Sequence, residues 1–270
     1  MKSRRRNLVE VYVWEIPVRF FHWFNALFIV ILCITGYIIG NPPAVQHATE
    51  AIHNYWFGWV RLAHLVTGML FTVNIAFRVY WAFAGNHFAH WQNFVPMTRR
   101  QWHSIFETLK VDILLLTKHP VYDIGHNSLA ATTYLGLFFL SLVQIATGFM
   151  MMFVTTNNVA EPATTWMLFG MNGFFVVRYI HHFLMWAFVL FMIIHVYLVF
   201  YHDYIERNGI ASSMIGGWKF VRRDVLREFI AIHRREARES KTLIQRIVND
   251  CDPDNFPEDT LNDPTFTSRE

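Results

Sequence analysis

The sequence predicts an all-α integral membrane protein, a bundle of four transmembrane helices with both termini in the cytoplasm. Three observations carry this expectation. Of 270 residues, 54% are apolar and only 16% charged, where a soluble domain carries roughly 25% charged residues. Four stretches of 24 to 26 residues have almost no charge inside them. Lysine and arginine, finally, gather between these stretches on one side only. A disordered chain is excluded, because such chains are poor in aromatics and this one has 26 Phe and 10 Trp. Nor do long uncharged runs fit a soluble two-domain enzyme.

The first span is expected from Pro17 to Gly40, and Phe20 through Gln46 carries no charged residue. Its apolar run is longer than the roughly 7–15 residues of a signal peptide, and no small-residue cleavage site follows it before Asn41, so it reads as a retained helix. The second runs from Trp59 to Ala84, with Arg61 and Arg78 near its ends. The third, Leu129 to Val154, is uncharged, and the fourth, Val177 to Tyr201, carries only Arg178 at its start. A bilayer core needs about 20 apolar residues per helix, so each is long enough to cross with some tilt. A transmembrane barrel would need alternating segments of about 10 residues, which these are not.

Orientation follows from the basic residues, which stay in the cytoplasm. Five lie at or before Arg19, four in the second loop (Arg99, Arg100, Lys110, Lys118) and eleven after Tyr201, whereas residues 41–58 and 155–176 have none. The expected organisation is a basic cytoplasmic N-terminus at 1–16, the membrane domain at 17–205, a cytoplasmic amphipathic helical segment at 206–250 and a disordered tail at 251–270, rich in Asp, Pro and Thr. Thr98–Thr117 has helical spacing suited to a membrane surface. Trp218–Val248, with Arg222, Arg223, Arg227, Arg234, Arg235 and Arg238, reads as a solvated basic helix near anionic lipid. No internal repeat is evident. Cys33 and Cys251 make no disulfide framework.

Ionisable residues inside a bilayer are costly and are functional candidates. Of 14 histidines, His22, His64, His181, His182 and His195 lie within spans, His202 sits at the end of the fourth, and the third span has none. At about 100° per residue, His181 and His195, fourteen apart, fall about 40° short of four full turns and share a face. His182 points about 140° away from His195, and His202, nearly in line with His195, falls at the membrane edge, so both read as packing residues. Following each span through the membrane gives two depths: His64 with His181 toward the periplasm, His22 with His195 toward the cytoplasm. Two imidazole pairs at two depths suit two bis-histidine haems. A bare metal site needs three or four clustered protein ligands, often with a carboxylate, and the spans hold no Asp or Glu. Without Cys-x-x-Cys-His, the haem is expected to be non-covalent, of the b type. Gly36, Gly68 and Gly148 allow a flat macrocycle to approach a helix or, equally, serve ordinary helix packing. Arg78 suits a haem propionate or, somewhat better, the membrane interface.

Two signatures then stand out. One is Arg19-Phe20-Phe21-His22-Trp23 running on to Thr35-Gly36; the other is Arg178-Tyr179-Ile180-His181-His182-Phe183 with Trp186, Phe188, Phe191 and His195. With Arg61-Leu62-Ala63-His64 between them, the chain resembles the b-type cytochrome subunit of membrane-bound nickel–iron hydrogenases, within the bacterial cytochrome b561 and formate dehydrogenase gamma-like dihaem family. The resemblance covers about residues 10 to 205. It implies a subunit anchoring the hydrogenase small and large subunits on the periplasmic face of the inner membrane. Electrons would enter at His64/His181, pass to His22/His195 and leave to a membrane quinone. His126, Asn127, His202, Asp203 and Tyr204 are candidates near the quinone, each more simply an interface residue.

The expected partners are those subunits, quinone and the lipid bilayer, with a dimer of heterotrimers as the larger assembly and no nucleic acid. Hydrogen cleavage is not expected in this chain, because nickel–iron chemistry needs cysteine thiolates and only Cys33 and Cys251 exist. Cytochrome subunits of formate dehydrogenase or thiosulfate reductase share the plan and remain alternatives. A histidine-rich membrane metalloenzyme is a rival of another class, but His87, His90, His103, His119 and His126 are scattered. A structural anchor or transporter is a third, marked by the lack of a haem spectrum.

Overall fold

The computed structural model describes residues 8–43, 55–95, 102–103, 105–106, 128–156, 173–206 and 208–237. Four long helices dominate: α1 (Ile16–Gly40), α2 (Trp56–Ala84), α3 (Ser128–Thr156) and α4 (Gly173–Glu206). All four are long and apolar enough to cross a membrane. Their lengths of 25, 29, 29 and 34 residues correspond to roughly 37 to 51 Å at the helical rise, against a hydrocarbon core of about 30 Å. The longest, α4, therefore continues past the expected Tyr201 boundary to Glu206 and carries His202 inside the helix.

The chain divides into two units. The membrane unit comprises Phe21–Arg78 and Gly136–Val196. Its helices turn large apolar side chains outward, among them Val73, Phe139, Phe183 and Ile193. That suits a lipid surround, where helices satisfy their own backbone and need no polar face. Inward on α2 stand Thr67, Phe71 and Ile75, one helical turn apart each.

The second unit comprises Met1–Phe20, Val79–Leu135 and Tyr197–Glu270. Here the structure adds a two-stranded ribbon to the expected helical plan. Strand β1 (Leu8–Tyr12) pairs antiparallel with β2 (Trp218–Arg222), Leu8 opposite Arg222 and Tyr12 opposite Trp218. A short helix, α5 (Ile210–Gly216), delivers the chain into β2 through Gly217. Gly217 sits at φ 89°, and a Cβ there would lie 2.8 Å from the Trp14 carbonyl oxygen, so only glycine fits. Its own carbonyl accepts from the Val13 and Trp14 N–H groups.

Helix α6 (Arg223–Ala237) follows directly, so the basic helix expected from Trp218 starts five residues later, after a strand. Its amphipathic pattern has a protein-side explanation. Leu226 is buried with Val11, Val13, Trp14, Val18, Phe88, Ala89 and Val221, and Val225, Phe229 and Ile230 pack against that cluster. Arg223 and Arg227 face outward. The Arg222 guanidinium donates to Asp224, which holds that carboxyl below its usual range. Glu15 ties the start of α1 to the end of α2, accepting from the Trp81 indole N–H and the Asn86 backbone N–H, both at 2.9 Å. Of the stretch 98–117, residues 102, 103, 105 and 106 are described, and they are helical; the tail 251–270 lies outside the described residues.

Candidate haem-binding site

Four of the five intramembrane histidines meet in pairs. The rings of His64 (α2) and His181 (α4) are 6.4 Å apart between centroids, and those of His22 (α1) and His195 (α4) are 6.2 Å apart. The two α4 residues are separated by about 21 Å along the axis at 1.5 Å per residue. His182 is not in either pair. It packs against Gly40 of α1, where an added Cβ would collide with its ring. His202 stacks edge-on against Tyr201.

The His64/His181 pair is held by the two helices that carry neither histidine. The Thr35 hydroxyl of α1 lies 2.8 Å from His64 Nδ1, and the Thr147 hydroxyl of α3 lies 2.9 Å from His181 Nδ1. Each threonine has one hydroxyl proton and a carbonyl of its own helix within reach of it, Ile31 at 2.6 Å from Thr35 and Val143 at 2.8 Å from Thr147. With that proton given to the carbonyl, the hydroxyl oxygen accepts from the ring, an assignment that puts the imidazole proton on Nδ1 and leaves the Nε2 lone pair free. Room for each ring comes from the next residue. A Cβ on Gly36 would lie 3.2 Å from His64 Cε1, and one on Gly148 would lie 3.3 Å from His181 Cε1. The Gln144 amide completes the seat by donating to the His181 carbonyl at 3.0 Å.

The His22/His195 pair is seated differently. Asn74 of α2 donates to the Phe21 carbonyl at 3.3 Å, tying the backbone beside His22. His195 stacks on Phe191 one turn earlier, at 5.2 Å. His22 Nδ1 is buried with no hydrogen-bond partner, as is Asn25 Oδ1 three residues on. Arg78 sets its guanidinium 5.8 Å from the Phe21 ring centre.

Haem fits these residues. A metal–imidazole bond of about 2 Å on each side of an iron, plus about 1 Å from nitrogen to ring centre, sums to about 6 Å between ring centres. Ordinary ring pairs also fall at 4.5–7 Å, so spacing alone does not choose. The choice is made by the Nδ1 contacts of His64 and His181, which leave Nε2 to face a metal, and by buried polar atoms beside His22 that the polypeptide leaves unpartnered. Among the described residues, no three His, Cys, Asp or Glu side chains come together as a metal cluster would require.

Thr35 stands in the first signature without a role, and Thr147, Gln144 and Asn74 were not anticipated from the sequence. A signal for two of them exists, since Thr-Gly occurs at 35–36, 67–68 and 147–148, once in each of the first three spans. Gly68, by contrast, stands beside Leu32 rather than a histidine. Of the candidates near a quinone, Asp203 Oδ1 is buried without a hydrogen-bond partner and Tyr204 is exposed, while His126 and Asn127 lie outside the described residues.

Fold and site define a multi-pass helical membrane protein whose paired intramembrane histidines suit haem. A family model described as prokaryotic cytochrome b561 matches residues 13–217, and the chain belongs to that family. It is 36% identical over 218 residues to the probable Ni/Fe-hydrogenase B-type cytochrome subunit of Cupriavidus necator, covering 79% of this chain and 88% of that one. The protein of the same name from Azotobacter vinelandii is 36% identical over 228 residues, 83% of this chain and 94% of the relative. The probable Ni/Fe-hydrogenase 1 B-type cytochrome subunit of Escherichia coli K12 is 34% identical over 229 residues, 81% and 94% of the two chains. As a b-type cytochrome, the protein carries haem b.

Proposed function

We propose that this chain is the dihaem cytochrome b of a nickel–iron hydrogenase. In this reading it anchors the small and large subunits at the periplasmic face of the bacterial inner membrane and passes their electrons to membrane quinone. The observation that carries the dihaem part is the meeting of four intramembrane histidines as two pairs, at 6.4 and 6.2 Å, from three helices. The hydrogenase part is supported by the names of the relatives, each a hydrogenase cytochrome subunit. The distribution of basic residues supports cytoplasmic termini, which puts His64/His181 toward the periplasm and His22/His195 toward the cytoplasm.

His64 and His181 hold one haem b through Nε2, and His22 and His195 hold the other. Bound at each pair, haem supplies a one-electron carrier. The rest of the work belongs to the chain. Thr35 and Thr147 keep the Nδ1 proton in place, and Gln144 fixes the backbone of His181. Gly36 and Gly148 give the ligand rings room. Hydrogen oxidation outside with quinone protonation from inside makes the assembly electrogenic.

Pyridine haemochrome analysis of the purified complex is expected to give two haems b per chain, with the hydrogenase small and large subunits co-purifying. One haem or none rejects the dihaem reading. Co-purification with a formate or thiosulfate enzyme instead rejects the hydrogenase assignment. Vesicles holding the complex are expected to build a membrane potential during hydrogen-to-quinone turnover, and failure to do so rejects electrogenic transfer.

A further inference from the structure

We propose that Thr35 and Thr147 are positioning residues that set a redox difference between the two haem sites, holding His64/His181 at the lower potential. This rests on the two-haem reading above and adds a direction to it.

The argument starts from where each proton sits. Thr35 and Thr147 spend their single hydroxyl proton on the Ile31 and Val143 carbonyls, so each accepts from the imidazole N–H beside it. An imidazole that donates from Nδ1 becomes a better electron donor at Nε2. A more basic ligand stabilises ferric iron over ferrous iron, which lowers the reduction potential. Both ligands of this pair carry the same bond, so the effect is applied from both sides. At the other pair, His22 Nδ1 has no hydrogen-bond partner, and the same increment is missing from that ligand.

The arrangement is also built twice. On α1 and again on α3, a threonine meets Nδ1 and the glycine after it meets Cε1 of the same ring, at 3.2 and 3.3 Å from the Cβ position. Ordinary back-bonding of a helical threonine to the preceding turn explains the carbonyl contacts and not the ring contacts. With His64/His181 the lower of the two, one electron moves spontaneously from that site to His22/His195, with no proton transferred. The donor is the hydrogenase iron–sulfur chain and the final acceptor a quinone.

The test is potentiometric titration of the complex purified from membranes. Haem content of the wild type is read first: two haems per chain upholds the underlying reading, and a single haem sinks that reading independently of the threonines. The lower of the two midpoints is assigned by its absence from His181→Ala. In the double variant Thr35→Val with Thr147→Val, the oxidised-to-reduced ratio of that component at fixed potential is expected to fall about tenfold, a rise of about 59 mV for a one-electron couple. The other midpoint holds, and Thr35→Ser with Thr147→Ser keeps both wild-type values. The proposal is overturned if both midpoints stay put in the valine variant with both haems retained, or if the lower one falls further. It is equally overturned if the serine variant shifts as far as the valine one. Should the valine variant lose haem, the serine variant decides alone: wild-type midpoints uphold the proposal and shifted ones overturn it.

Discussion

The two histidine pairs have nearly the same spacing, yet their surroundings differ. At His64/His181 the side chains themselves are gripped: Nδ1 is bonded, the ring edge lies on a glycine, and for His181 the backbone is tied as well. At His22/His195 Asn74 ties the backbone beside His22, and His22 Nδ1 stays unbonded. The same residue type at two depths can therefore be seated by different means. A span without any histidine, α3, is as much a part of the first seat as the helix that carries His181.

The largest expected effect breaks the pairs outright. His64→Ala or His181→Ala is expected to remove one haem and His22→Ala or His195→Ala the other, halving the dithionite-reduced haem absorbance each time. His182→Ala is expected to keep both, because His182 fills the space over Gly40 and faces neither pair. Loss of a haem in His182→Ala with retention of both in His181→Ala would overturn the assignment of facing.

Glycine replacement sharpens the contrast. Gly36→Leu and Gly148→Leu place a branched side chain where a single Cβ already comes within 3.2 and 3.3 Å of a ligand ring. The ring must leave its seat, since overpacking by even a few methylenes costs about 1–3 kcal/mol. Each is expected to deplete the haem at His64/His181 while the one at His22/His195 survives. Redox titration of the purified variants would then show a single component. The alanine versions need shifts of a few tenths of an ångström and are expected to keep both haems with a displaced midpoint. Equal loss at both levels would mean that these glycines serve general helix packing.

These differences explain what the sequence reveals. The spans are legible because uncharged runs of 20 or more residues have few other uses, and the sharing of a face by His181 and His195 follows from helical period alone. Thr35 and Thr147 are hidden because a threonine in a helix interior normally satisfies itself on the preceding turn, and both of these do. Their second contact crosses to a residue 29 or 34 positions away, which no periodicity records. The ribbon is hidden for the same reason: Leu8–Tyr12 and Trp218–Arg222 are five residues each, and neither suggests the other until paired. The α6 pattern was visible, but a hydrophobic stripe on a basic helix looks the same whether lipid or the Val11–Val221 ribbon covers it.

The smallest expected effects test whether the amides follow the same division. Gln144→Leu removes one hydrogen bond to the His181 carbonyl and Asn74→Leu one to the Phe21 carbonyl. Both carbonyls lie inside helices and keep their i→i+4 partner, so each substitution is expected to cost only about 0.5–1.5 kcal/mol. The readout is the temperature at which half of the haem signal is lost, with Gln144→Leu acting on His64/His181 and Asn74→Leu on His22/His195. Asn25→Leu has the opposite expectation. It removes a buried carbonyl oxygen that has no hydrogen-bond partner in the polypeptide, and replacing such a group by an apolar one of similar size is close to neutral or stabilising. If Asn25→Leu instead costs more than Gln144→Leu, and costs it only at the His22/His195 haem, then Asn25 is bonded in the loaded protein. The second seat would then be completed by a polar group of the bound haem, where the first is completed by two threonines.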